Sequence, residues 1–419
     1  MDNRDNSKGI WRSIIVWGVG DLYFIVSVMT AVLFGILSPD LQKHLQLTTA
    51  QVGLLGSVFF LSYGLAQLAT GSLVDYLGPR FTLAGSAIIA ASGLFLLSEA
   101  NSLTVAIAAK FLVGIGLSAS YIGAMYLAGT WFAAERFSLV SGVTEMSANI
   151  VTACLVLVMA ISGAFVSYGL VMKSLGLIIL ILGIIIFIIV RSAPESDNTS
   201  DEVRAEKGFF SDIHTLFSIP QFWLGAIYFS AAFGVYLAFA DLWNIPDQLA
   251  YGNSLETAAI MNAMLPLGGA FGAILAGWFA DYLGRRSTVA KFYIIGMLLL
   301  SAVMVYGPTL PIPIAFFMLI LLGFFFGGAV LGFPLVGQHI PPVLKGRAFG
   351  LMAMIAYLLS ALLQYLMGVL LGQQPAPGTP AAIHDFKMAL TPLIVILVIG
   401  LICSRWLRDP EQASDHDVK

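Results

Sequence analysis

Gly71-Ser-Leu-Val-Asp75-Tyr-Leu-Gly78-Pro-Arg80 is written a second time in this chain, 206 residues later, as Gly277-Trp-Phe-Ala-Asp281-Tyr-Leu-Gly284-Arg285-Arg286. Each copy lies between long apolar runs. Asp, Gly and Arg together do not fit into hydrocarbon, so each copy reads as a tight loop at a membrane surface. A loop duplicated at equivalent places in two hydrophobic halves marks a membrane protein built from two repeats.

The composition says the same. Of the 419 residues, 59% are hydrophobic and 10% charged, against about 25% charged in an average soluble domain. No soluble interior holds this much apolar sequence, whereas a bilayer does. The net charge is −3 and no long basic tract exists, which argues against nucleic acid as a partner. Cys154 and Cys403 fall in apolar runs and read as small core residues, not as a disulfide or metal pair. No small-residue cleavage site follows the first apolar run, so that run reads as a retained span and not as a signal peptide.

A spanning helix needs roughly 20 mainly apolar residues. Such runs fall near 14–37, 49–71, 81–98, 103–127, 137–165, 168–190, 222–247, 255–279, 288–308, 312–337, 346–371 and 386–407. The expected fold is therefore an all-α membrane protein, with twelve transmembrane helices forming two pseudo-symmetric six-helix bundles. The expected divisions are 1–190, a polar cytoplasmic linker 191–220, and 221–419. Lys and Arg set the orientation. With both termini cytoplasmic, only Lys43, Lys173 and Lys387 of the 20 Lys and Arg fall outside, and Lys110 falls within a span.

Twelve spans in a six-plus-six arrangement, with Gly-x-x-x-Asp-x-x-Gly-x-Arg between the second and third spans of each half, resemble the major facilitator superfamily. The stretch Leu61-Ser-Tyr63-Gly-Leu-Ala-Gln67 with Gly71 and Gly78-Pro-Arg80 is similar to the branch of organophosphate permeases and phagosomal amino-acid and nucleoside transporters. The resemblance implies a solute carrier working by alternating access, usually monomeric, in the inner membrane of a bacterium. It also implies that Asp75, Gly78, Arg80, Asp281, Gly284, Arg285 and Arg286 gate the cytoplasmic side. The Gly pair would permit close helix approach and a sharp turn, each Asp would sit at a helix N-terminus, and the Arg would bridge to acids on the other half. Setting topology alone is the alternative role.

Organophosphate permeases place phosphate-binding Arg in spans one and seven, and this chain has no Arg or Lys in Val16 to Leu37 or in span seven. A phosphate dianion needs paired cations, so a phosphorylated cargo is disfavoured. Span five also lacks the Pro of drug exporters, which favours import.

Charges within spans are costly and mark function by default. Asp21 in span one and Glu145 in span five lie at similar depth, roughly 10–12 Å from the inner side. Burial favours the uncharged form of a carboxylic acid and fits it to exchange protons. The two are therefore candidates for proton coupling, with a structural ion pair or a wet cavity mouth as alternatives. Lys110, Gly114, Ser118 and Tyr121 fall on one helical face. Lys110 pairs with Asp21 or Glu145, which needs helix tilt or a shifted boundary, or binds a substrate carboxylate, or snorkels outward.

Ser141, Glu145, Asn149 and Thr152 form a polar stripe on span five, suited to a cavity or to helix–helix hydrogen bonds. Asp241, near the outer end of span seven, reads as an interfacial loop residue or an outer gate, because Pro246 should break the helix. Tyr236, Phe239 and Trp243 form an aromatic stripe for packing or binding. Tyr357, Ser360 and Gln364 on span eleven, with Asn262 on span eight, add neutral hydrogen-bonding groups. The candidate substrate-binding set is thus Lys110, Ser118, Tyr121, Asn149, Tyr236, Trp243, Asn262, Tyr357 and Gln364, with ionisable groups in the first half and neutral ones in the second.

His339, beside two prolines, reads as structural. No His or Cys cluster has metal-ligand spacing and no phosphate-cradling loop occurs, so no cofactor or direct ATP drive is expected. The partners expected are a small solute, protons and the lipid bilayer. An amino-acid-like zwitterion is the first expectation for the cargo, with an organic acid, a nucleoside or a siderophore as alternatives. A non-transporting sensor of the same fold is the rival class. A membrane enzyme lacks the nucleophile or metal site it would need.

Overall fold

A computed structural model describes residues 3–132, 134–162, 167–191, 209–341, 344–372 and 383–409. Among them, twelve helices are long and apolar enough to cross a membrane. They are Ile10–Leu45, Thr49–Val74, Tyr76–Ser98, Leu103–Trp131, Leu139–Val158, Tyr168–Ile189, Pro220–Ala250, Leu255–Leu283, Arg286–Tyr306, Ile312–Gly337, Lys345–Gly372 and Ile383–Ser404, numbered here as spans one to twelve.

Span six shows why these helices need lipid. One face buries Met172, Leu175, Ile179, Leu182 and Ile186. The opposite face exposes Leu170, Leu177, Ile181, Ile184 and Ile188. A helix apolar on both faces suits a bundle in hydrocarbon and not one in water. Cys154 is exposed and Cys403 partly exposed, so neither is the core residue the sequence suggested.

The chain forms two compact units: Met1–Leu47 with Val58–Asp197, and Thr48–Ser57 with Asn198–Lys419. The first turns of span two group with the second unit. Of the expected linker, residues 192–208 lie outside the described residues, and Phe209–Phe217 is a short helix.

Both duplicated loops turn on their second glycine. Gly78 has φ 79° and Gly284 has φ 62°, backbone that a Cβ disfavours. The first glycines do something other than expected. A Cβ on Gly71 or Gly277 would meet nothing within 4 Å, so neither serves a close helix approach. That approach occurs elsewhere, where spans eight and ten cross. There a Cβ on Gly268 would strike the Ile320 carbonyl oxygen, and one on Gly272 the Phe324 carbonyl oxygen. Small residues at such a crossing let backbones touch, which is how membrane helices associate.

Three spans are interrupted. Span four breaks at Ser118, between Leu103–Leu117 and Ala119–Trp131. Span seven passes through a π turn, Phe239–Trp243, and span ten through a 3-10 turn, Gly327–Leu331. Pro246 was expected to end span seven, yet the helix resumes as Asn244–Ala250. Proline removes one backbone donor, and the wider π turn just before it absorbs the register change.

Candidate functional site

In the first unit, spans one, four and five bring Asp21, Tyr121 and Glu145 together. Asp21 is only 6% exposed. Its Oδ2 accepts a hydrogen bond of 3.0 Å from Ser147 Oγ. The Thr144 hydroxyl also lies within hydrogen-bonding reach of the carboxyl. That hydroxyl accepts from Trp17 Nε1 at 3.1 Å and stands 3.1 Å from the Val140 carbonyl oxygen, so its single proton serves either Val140 or Asp21. Asp21 Oδ1 has no partner among the described residues.

Glu145 is exposed, is hydrogen-bonded by Tyr121, and stands near enough to Asp21 to feel its charge. Tyr121 packs on Phe24, with ring centroids 5.1 Å apart. The polar groups acting on the two carboxyls are thus hydroxyls and each other, with no Lys or Arg among them. Trp17, Thr144 and Ser147 were missed in the sequence. The signal available was their spacing: Trp17 lies one turn before Asp21, and Thr144 and Ser147 lie at i, i+3 on span five.

The other stripe of span five is less of a unit than its periodicity suggested. Asn149 Nδ2 donates 2.8 Å back to the Glu145 carbonyl oxygen. Thr152 is buried, and the hydroxyls of Thr152 and Ser141 have no partner among the described residues.

Lys110 is 2% exposed and does not snorkel. Its Nζ stands 3.4 Å from the Phe34 ring centroid and 4.7 Å from that of Phe59. Two ring faces offset part of the cost of a desolvated ammonium, by about 2 kcal/mol or more. The single face proposed for Lys110, Gly114, Ser118 and Tyr121 does not hold. The space beside Gly114 is filled by Ser62 and Phe59 of span two, and Ser118 Oγ stands 3.1 Å from Thr70 Oγ1. Tyr121 lies beyond the break at Ser118 and turns toward spans one and five instead. Ser118 thus faces span two, and Lys110 sits between Phe34 of span one and Phe59 of span two.

In the second unit, the aromatic stripe is divided. Tyr236 stacks on Phe326 at 3.7 Å, and Phe233 meets Tyr357 edge-on at 5.7 Å. Trp243 is fully buried and donates Nε1 to the Gln364 carbonyl oxygen at 3.2 Å. Gly53 and Gly368 lie against its ring. Trp243 is therefore a packing residue here, and the Gln364 side chain is buried beside Gly56 with its Oε1 unbonded among the described residues. Asn262 accepts from Asn244 at 2.8 Å and faces its neighbouring helix.

Asp241 is buried in the π turn rather than placed in an interfacial loop. Asp247, one position after Pro246, is buried as well. The second half is therefore not a purely neutral surface.

The loop residues hold together within their own units. Arg80 Nε donates 2.7 Å to the Phe187 carbonyl oxygen at the end of span six, and its guanidinium lies 4.0 Å from the Phe187 ring centroid. A cation there meets the negative end of the helix dipole. Arg286 pairs with Asp281 at 3.7 Å, both exposed. The acid at the start of span nine is not Asp281 but Asp409, which accepts from Ser287 N at 3.1 Å and Ser287 Oγ at 2.6 Å. Arg80 and Arg286 make these contacts inside their own units. Arg285 is exposed, and the Asp75 side chain lies outside the described residues. His339 Nδ1 contacts the Leu335 carbonyl oxygen at 3.0 Å, one turn back.

Twelve helices of spanning length, three of them interrupted, define a polytopic α-helical membrane protein. The chain belongs to the Major Facilitator Superfamily, whose family description matches residues 22–364.

Among curated proteins it is similar to a probable L-galactonate transporter of Escherichia coli, 26% identical over 261 residues, which is 58% of this chain and 56% of the relative. It is also similar to the probable sulfoacetate transporter SauU of Cupriavidus necator, 24% identical over 136 residues, or 32% of each chain. The matched stretches thus span between about a third and just over half of these relatives' lengths.

The fold is that of a bacterial homologue of the human lysosomal transporter Spinster, with TM-score 0.75 and 16% identity over 94% of this chain and 98% of that one. The nucleoside transporter NupG, in a point-mutant form, gives TM-score 0.72 and 13% identity over 93% and 98%.

Proposed function

We propose that the chain is a proton-coupled secondary transporter that imports a small carboxylate-bearing organic solute by alternating access. Asp21 and Glu145 carry the coupling proton. The observation behind this reading is a pair of neighbouring carboxyls, surrounded by hydroxyls and lacking a basic partner, in a span-one, -four and -five cluster. Asp21, buried with no Lys or Arg acting on it, is balanced most cheaply by a proton. Lys110 is the one buried basic side chain among the described residues, and it is the group that meets the cargo's carboxylate.

Both curated relatives are named for organic acids, which supports a carboxylate cargo and leaves an amino-acid zwitterion as the second reading. The protein works as a monomer in a bacterial inner membrane with both termini cytoplasmic, as the Lys and Arg distribution suggests. The two duplicated loops hold the cytoplasmic ends of each half in register during the cycle.

The test is uptake into proteoliposomes under an inward proton gradient, with labelled galactonate, sulfoacetate, alanine and uridine. Gradient-driven accumulation of an acid, collapsed by an uncoupler and absent in both Asp21→Asn and Glu145→Gln, is the expected result. Gradient-driven uptake persisting in both variants sinks the assignment. Binding without accumulation points to a sensor.

A further inference from the structure

Asp247 and Met304 form a wall shared by two cavities in the second unit. The larger, about 380 Å³, is bounded by Gln248, Tyr251, Asn253, Met261 and the Pro308–Ile312 segment between spans nine and ten. Cavities of several hundred Å³ are the usual size for small organic ligands. The smaller, about 30 Å³, has room for about one water beside Tyr236 and Ser301.

Asp247 is 5% exposed. Its Oδ2 accepts one long hydrogen bond, 3.4 Å, from Gln248 Nε2. That amide also reaches Asn244 Oδ1 at 3.4 Å, and Gln248 Oε1 is taken by Asn253 Nδ2 at 3.3 Å. The Asn253 amide oxygen is left as a further acceptor at the cavity. Tyr251 stands close enough that Asp247's charge, after burial itself, holds its phenol above the usual pKa. A carboxylate at this depth is costly unless something positive reaches it, and the cavity is the route by which it is reached.

We propose that this cavity is a binding site for a small organic cation, whose ammonium group is held by Asp247. The Tyr251 ring offers a π face to the charge, and Asn253 offers an amide oxygen. Met261, Met304 and the flanking prolines wall the alkyl body, with thioethers adapting to its shape. A bare metal ion fits less well, because it needs several converging oxygens, and the described residues hold no group of three metal-ligating side chains. The site belongs to the second half and is independent of the proton-coupling reading, since binding here needs neither Asp21 nor transport.

The experiment uses the purified full-length chain in detergent, with thermal shift and intrinsic tryptophan fluorescence read during titration. The probes are choline, its neutral isostere 3,3-dimethylbutanol, and matched NaCl. Saturable stabilisation by choline, with at least about tenfold weaker response to the isostere and none to NaCl, is expected; tenfold corresponds to about 1.4 kcal/mol. Asp247→Asn should weaken choline binding by about tenfold or more. Met304→Trp, which fills the cavity and leaves the carboxyl in place, should do the same.

The isostere comparison needs no variant, so it stands even if Asp247→Asn fails to fold. Absence of a saturable choline response overturns the proposal. So does an equal response to the isostere, or stabilisation by acid alone, which would make Asp247 a proton site only.

Discussion

Replacing Gly272 and Gly277 by Ala, one at a time, tests whether the crossing of spans eight and ten is held by backbone contact. Both glycines lie in the same helix, Leu255–Leu283, so both substitutions gain about 1 kcal/mol of helix propensity. Their surroundings differ. A Cβ on Gly277 meets nothing within 4 Å. A Cβ on Gly272 falls on the Phe324 carbonyl group, with its carbon at 2.6 Å and the Phe324 Cα at 2.8 Å.

The atoms struck are backbone, so no side chain can swing aside and the helices must separate. Overpacking of this kind costs about 1–3 kcal/mol. Separation also strains the 3.1 Å hydrogen bond from Tyr293 Oη to the Gly272 carbonyl, adding about 1 kcal/mol. Gly272→Ala should therefore lose about 1–3 kcal/mol net, while Gly277→Ala gains up to about 1. At roughly 2–4 °C per kcal/mol for a unit of this size, the two variants should differ in Tm by roughly 5–15 °C. Thermal unfolding of the two purified variants in one detergent measures it. Tm values within about 1 °C of each other would refute backbone contact as the element that fixes this crossing.

Other substitutions test the remaining contacts. Asp409→Ala should lower stability by about 1–2 kcal/mol, because it strips both hydrogen bonds from Ser287 at the start of span nine. Asp281→Ala, which removes only an exposed pair with Arg286, should cost less than about 1 kcal/mol in the same melt. Lys110→Met should abolish uptake of acidic cargo; retained uptake at wild-type KM removes Lys110 from the site. Ser147→Ala with Thr144→Val should leave solute binding in place but shift the pH profile of uptake, because Asp21 then loses the hydroxyls that hold it.

The membrane architecture was legible because its signals are local. Apolar runs of spanning length and a glycine at each loop depend on nothing distant, and Gly78 and Gly284 take the positive φ that their loops require. Equal depth along spans that start on the same side was also legible, and the structure brings Asp21 and Glu145 together. What could not be read is which way a face turns after an interruption. Ser118, at the interruption, turns to Thr70 of span two, while Tyr121 just beyond it packs on Phe24 of span one. The partners of Arg80 were illegible for a related reason, since Phe187 offers a backbone carbonyl that leaves no mark in side-chain identity.

The same limit accounts for the expectation of an uncharged second half, and its failure carries a mechanistic consequence. Pro246 promised a helix end, which would have left Asp247 in an interfacial loop, wet and unremarked. The π turn instead carries the helix on to Ala250 and draws Asp247 inward. Each half then contains a buried aspartate that the described residues hold loosely: Asp21, whose Oδ1 has no partner among them, and Asp247, whose Oδ2 accepts one long bond of 3.4 Å. Fixed counter-charges would have made both groups inert ion pairs, stable in a single state. A carrier gains more from charges whose partners come and go, because each arrival or departure changes which conformation is favoured. A proton suits the hydroxyl-lined Asp21, and a larger cation suits Asp247, which has a cavity of ligand size beside it. A ligand can shift the balance between conformations only through its differential affinity for them, and these two carboxyls are where such a difference can arise.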